Sequence, residues 1–134
     1  MSNAPVVAVF NTSEDTIELL RFVLQQAGYV VVSAFTHFLR DGKTDLEALM
    51  RQYQPSVIVY DIAIPYEQNW RLFQQIRASP ACVGVRFVLT TTNAAHVQKI
   101  AGREQHIHEI IGKPFDLDQV VRAVKEAIHE RPTG

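Results

Sequence analysis

Asp61, Thr90, Thr91 and Lys113 are the residues of this 134-residue chain whose types could do chemistry together. They offer one carboxylate, two hydroxyls and one ammonium, each placed where a short apolar run ends. Asn11, Thr12 and Ser13 follow the first such run, Asp61 follows Val57 to Tyr60, Thr90 and Thr91 follow Val85 to Leu89, and Lys113 with Pro114 follows His108 to Ile111. Taken one at a time these residues read as ordinary: a loop or capping aspartate, a lysine at a turn, a satisfied strand-end hydroxyl. Taken together they converge, because ligands of an open parallel sheet collect beyond the carboxyl ends of its strands, where the strand order reverses. Composition and spacing alone predict a polar pocket there and no particular reaction.

Other constellations carry less. Thr90-Thr91-Thr92 with His96 and Asp61 contains the residue types of a nucleophile triad, but no strained Gly-x-Ser-x-Gly elbow accompanies them. Hydrolase chemistry is not expected. The chain has no Gly-x-Gly-x-x-Gly or phosphate loop and only six glycines, so nucleotide or flavin binding has no support. His106 and His108 alternate on an extended segment and could present two imidazoles on one face. Without a cysteine or a third placed ligand, they are read as a polar strand edge.

The elements that must position the pocket residues alternate regularly. Pro5 to Phe10 is a β-branched apolar run of the kind that suits a strand buried on both faces. Ser13-Glu14-Asp15 opens a helix with a cap and two first-turn acids, and Gly28 stops it. Tyr29 to Ala34 is a second strand, and Thr36 to Lys43 reads as a loop or a short added turn. A helix from Thr44 buries Leu46, Leu49 and Met50 and ends before Pro55, since the residue before a proline disfavours helix. Strands over Val57 to Tyr60, Val85 to Leu89 and His108 to Ile111 then alternate with helices over Asn69 to Arg77, Ala94 to Ile100 and Asp116 to Glu130. Trp70, Phe73, Phe87, Phe115 and Tyr60 are read mostly as core, with any exposed members near the fourth and fifth helices available as a partner surface. Unbroken strand–helix alternation calls for a parallel sheet covered on both faces through right-handed crossovers.

The length, with 47% hydrophobic and 20% charged residues, suits one domain with one core, expected over residues 5–130 between flexible termini at 1–4 and 131–134. A formal charge of -1 lacks the basic excess that neutralises many phosphates, so nucleic acid is not an expected partner. Cys82 is the only cysteine, which excludes an internal disulfide and fits a reduced cytoplasm. No apolar segment is long enough to span a bilayer and the first residues do not form a signal peptide, so no membrane role is expected.

The chain resembles the receiver domains of two-component signalling from Pro5 to about Ile128. Pro55-Ser56-Val57-Ile58-Val59-Tyr60-Asp61-Ile62-Ala63-Ile64-Pro65 is similar to the family's third strand, its phosphoacceptor aspartate and the proline four residues later. Thr90 matches the family's hydroxyl residue, and Lys113-Pro114-Phe115 its lysine with the following proline. The resemblance implies a flavodoxin-like, doubly wound sheet of order 2-1-3-4-5 with five helices. It also implies phosphoryl transfer to Asp61 from a histidine kinase or phosphotransfer protein, with Lys113 pairing with the acylphosphate and Thr90 reporting it. Catalysis of a reaction on an outside substrate is not implied.

The chain departs from that pattern where the family holds Mg²⁺. Asn11 and Thr12 stand at the positions of two adjacent acids, and neither is an anion. The remaining metal set, Asp61, Asn11 and the backbone carbonyl of Ala63, should bind Mg²⁺ weakly or not at all, because magnesium dehydrates reluctantly and favours carboxylates. Glu14, Asp15 and Glu67 lie near in sequence and are read as solvated residues. With no clustered acids to compete, Asp61 should contact Lys113 directly. Asn69 replaces a usual glycine and should tolerate a left-handed conformation there. Ile110 replaces the aromatic that often accompanies switching. No output domain is expected to follow, unless the chain is an excised piece of a longer protein. Output would then pass through protein contacts of the last two helices and fifth strand, self-association included. The alternative expectation is a pseudo-receiver, an interaction module that works without phosphorylation.

Overall fold

The computed structural model describes residues 4–103 and 106–129. Of the termini expected to be flexible at 1–4 and 131–134, residues 1–3 and 131–134 lie outside the described residues, as does Glu130, the expected end of the last helix. Five strands, β1 (Val6–Asn11), β2 (Val30–Phe35), β3 (Val57–Ile62), β4 (Arg86–Thr91) and β5 (Ile107–Gly112), pair in parallel in the order β2-β1-β3-β4-β5. This is the expected doubly wound, flavodoxin-like sheet.

The strands form as they do because both their faces are covered. Period-two alternation sends Val7, Val9, Val57, Val59 and Val88 to one face and Ala8, Phe10, Ile58, Tyr60, Phe87 and Leu89 to the other. The first face is covered by α1 (Glu14–Gln26) and α6 (Leu117–His129), which supply Ile17, Leu20, Leu24, Val120 and Val124. The second is covered by α3 (Leu46–Tyr53), α4 (Tyr66–Arg77) and α5 (Ala94–Ala101), which supply Met50, Trp70, Phe73, Ile76 and Val97. Tyr60, Trp70, Phe73 and Phe87 are all buried, as expected of core aromatics.

Local signals set the helix ends. Ser13 Oγ accepts from the Thr16 N–H at 3.2 Å and opens α1. Gly28, with φ of 100°, turns the chain from α1 into β2 in the region that favours glycine. Asp45 Oδ1 accepts from the Ala48 N–H at 3.1 Å, so α3 begins at Leu46 with Asp45 as its cap rather than at Thr44.

Three expectations need correction. The helix count is six rather than five, because the short added turn allowed for between Thr36 and Lys43 is a five-residue helix, α2 (Thr36–Arg40). The helix after Asp61 starts at Tyr66, directly after Pro65, three residues earlier than expected. Asn69 consequently sits inside α4 and needs no left-handed conformation, since Gln54 is the only described non-glycine residue with positive φ.

One irregularity marks the sheet edge. The β4–β5 register steps from Phe87 opposite Ile107 to Val88 opposite Glu109, leaving His108 as the extra residue of a bulge. No helix of the described residues is long and apolar enough to cross a membrane.

Candidate functional site

The carboxyl ends of β1, β3 and β4 are polar but still paired, which moves several residues from loop to strand. Asn11 ends β1, Asp61 lies within β3, and Thr90 and Thr91 end β4, because the parallel ladder continues through Asp61 opposite Thr90 and Ile62 opposite Thr91. Asp61 is therefore not beyond its strand, as the apolar pattern suggested. Lys113 lies just past β5 as expected, and its backbone N–H donates to the Thr91 carbonyl at 2.7 Å. That bond holds the start of the Lys113 loop against the end of β4.

This arrangement brings two side chains onto one atom of a third. Lys113 Nζ lies 2.8 Å from Asp61 Oδ1, and Thr90 Oγ1 donates to the same oxygen at 2.7 Å. The Asp61 side chain is only 5% exposed and that of Lys113 27%, so the carboxylate is shielded from water while the ammonium stays partly solvated and their attraction is partly screened. Among the described residues no donor meets Asp61 Oδ2. The expected direct Asp61–Lys113 contact is present. Beside it, Tyr60 is buried, and that burial together with the Asp61 charge pushes its hydroxyl well above the usual phenol range.

The other oxygens expected near a metal are engaged within the protein. Asn11 is buried, and its Oδ1 accepts from the Ser13 N–H at 3.0 Å. The Ala63 carbonyl accepts from Asn69 Nδ2 at 2.8 Å, and the same amide reaches the Pro65 carbonyl at 3.1 Å. Asn69 thus replaces a permissive backbone by a side chain that ties the β3–α4 loop to its own helix. Thr91 Oγ1 donates to the Ile62 carbonyl at 2.8 Å and secures the other side of the pocket.

Two contacts were missed from the sequence. Tyr66 and Thr92 share a hydrogen bond of 2.6 Å, and His96 Nε2 lies 2.9 Å from Glu67 Oε1, with the Tyr66 and His96 rings 5.3 Å apart. Together they brace the start of α4 against the β4–α5 loop and the first turn of α5. The hydrogen bond from His96 holds the Glu67 carboxyl below the usual carboxylate range. Glu67 is therefore committed to His96, and His96 is not part of any triad with Asp61. Glu14 and Asp15 lie in the first turn of α1 as expected. Ile110 is partly buried against the α4 and α5 side of the core.

The family model of the response regulator receiver domain matches residues 7–125. The chain belongs to the response regulator receiver domain family. A curated relative from Leptolyngbya boryana, described as an uncharacterized 14.6 kDa protein, is 26% identical over 120 residues, spanning 90% of this chain and 87% of its own. A response regulator from Thermotoga maritima superposes with a TM-score of 0.72 at 22% identity, covering 96% of this chain and all of that one. The chemotaxis protein CheY4 of Vibrio cholerae does so with a TM-score of 0.70 at 19% identity, covering 93% of this receiver and 99% of its own chain. At these identities the solved structures share the fold alone. This receiver is thus a domain of two-component signalling.

Proposed function

We propose that Asp61 is the phosphoacceptor of a signalling receiver that acts through protein contacts rather than as an enzyme on an outside substrate. The observation that carries this reading is the convergence of Lys113 Nζ and Thr90 Oγ1 on Asp61 Oδ1. A carboxylate held by one oxygen presents the other for attack. As Oδ2 bonds to the phosphorus of a phosphohistidine or small phosphodonor, the donor's P–N or P–O bond breaks and its electron pair leaves with the donor. The transfer sets anion against anion, and Lys113 is the cation placed to offset the charge that gathers. Thr90 would release Asp61 and bind the new phosphoryl oxygens. A histidine kinase or phosphotransfer protein in the cytoplasm is the matching donor, and a second protein the matching reader.

Magnesium does not fit this pocket well. Of the oxygens that would face the ion, only Asp61 is charged, whereas Asn11 and Ala63 offer neutral dipoles already accepting from Ser13 and Asn69. The transfer step therefore rests on Asp61, Lys113 and Thr90 alone. Incubation with acetyl phosphate and magnesium, followed by intact mass, should give a phosphoryl adduct that is lost in Asp61→Asn. No adduct, under conditions that label a conventional receiver, would reject the phosphoacceptor role.

The same engaged oxygens favour a second reading, a phosphorylation-independent interaction module whose Asp61–Lys113 pair holds one resting state. The double change Asn11→Asp with Thr12→Asp is expected to tighten Mg²⁺ binding by about tenfold or more, since ligand charge sets affinity for hard cations. Calorimetric titration checks this. An unchanged affinity would mean that the end of β1 is not the metal-binding side of the pocket.

A further inference from the structure

In a regular strand, neighbouring side chains point to opposite faces, so His108 and Glu109 should diverge. The bulge at His108 removes that constraint, as bulges do where a side chain is re-aimed. One ligating atom from each of His108, Glu109 and Glu126 lies within 4.8 Å of the other two, although Glu126 comes from α6. To His108 and Glu109 on the strand, α6 adds Glu126, 18 residues beyond His108, as the third placed ligand, and His106 is not part of the set.

From this we infer that β5 and α6 form a binding site for a zinc-class divalent transition metal, with His108 Nε2 and the carboxylates of Glu109 and Glu126 as ligands and a fourth position open to water. His108 Nε2 and Glu126 Oε1 stand 3.4 Å apart. That is long for a charge-assisted hydrogen bond, which falls at about 2.7–2.9 Å. It matches the edge of a tetrahedron with bonds of about 2.1 Å, which is roughly 3.4 Å. Imidazole with carboxylates suits zinc, copper or nickel, whereas magnesium and calcium favour oxygen donors alone. The imidazole is shielded, with its side chain 17% exposed, while Glu126 at 55% leaves the ion a way in.

This site is separate from the Asp61 pocket. His108 lies three residues before Ile111, which pairs with Thr90, and so about 10 Å towards the amino end of the sheet at ~3.3 Å per residue. A metal there would pin α6 to the edge strand.

Calorimetric titration of Zn²⁺ into the full chain tests the inference. One equivalent should bind, at least about tenfold more weakly in His108→Ala and in Glu126→Gln, and unchanged in Asp61→Asn. Glu126 is exposed, so its substitution leaves the core intact. Co²⁺ bound to the parent should show the visible absorption of a tetrahedral site, lost in His108→Ala. No binding by the parent, equal affinity in parent and His108→Ala, or binding lost only in Asp61→Asn would each overturn the assignment.

Discussion

Phe73→Ala is expected to cost about 3–5 kcal/mol of folding free energy, the range for truncating a fully buried phenylalanine. Phe73 has no exposed surface, and its ring lies 5.2 Å from Tyr60, 5.1 Å from Trp70 and 5.0 Å from Phe87. It meets Tyr60 and Phe87 near edge-on, and such pairs add about 0.5–1.5 kcal/mol each beyond the area they bury. Small domains are stable by only about 5–15 kcal/mol in total, so the loss consumes a large share. The wedge also sets the height of α4 over β3 and β4, the strands that carry Asp61 and Thr90. Urea denaturation should show the midpoint fall with an unchanged slope. A loss below about 1 kcal/mol would mean that the neighbours close over the cavity and that this contact does not hold α4 in place. Phe22→Ala on the outer face of α1, where the ring is 62% exposed, should stay within about 0.5 kcal/mol.

The strands were legible because a parallel strand buried on both faces must be apolar throughout, and Val6–Asn11 and Val57–Ile62 nearly are. Their carboxyl ends were not, because polar Asn11, Asp61, Thr90 and Thr91 remain in the ladder, where backbone pairing rather than hydropathy decides. The helix at Thr36–Arg40 is too short for any period. It is packed instead by a local cluster in which the Phe35, His37 and Phe38 rings lie 4.9–5.3 Å apart. Side-chain type and position at strand ends sufficed for the Asp61–Lys113 contact. The sequence presents Asn69 as a backbone substitution, whereas its effect lies in the amide that reaches Ala63 and Pro65. The Tyr66–Thr92 and Glu67–His96 braces join residues 26 and 29 apart in the chain, a relation that no periodicity encodes. The His108 bulge is likewise a property of two strands together.

Lys113→Met should be the more informative variant at the pocket, because it keeps the apolar stem and removes only the cation. Asp61 would then be a carboxylate 5% exposed with Thr90 as its remaining donor among the described residues. Stranding one partner of a fully buried pair costs about 3–5 kcal/mol. Lys113 is partly solvated and Thr90 stays, so about 1–3 kcal/mol is expected, the cost of an under-satisfied polar group. Adding Asp61→Asn to Lys113→Met removes the stranded charge and should recover most of that loss, which makes the pair strongly non-additive in a double-mutant cycle. The same Lys113→Met protein should accept phosphate from acetyl phosphate far more slowly than the parent, since no other described cation contacts Asp61. Denaturant midpoints and intact mass read the two effects separately. Additive midpoints would show that the 2.8 Å contact carries little energy, and undiminished phosphorylation would remove Lys113 from the transfer step.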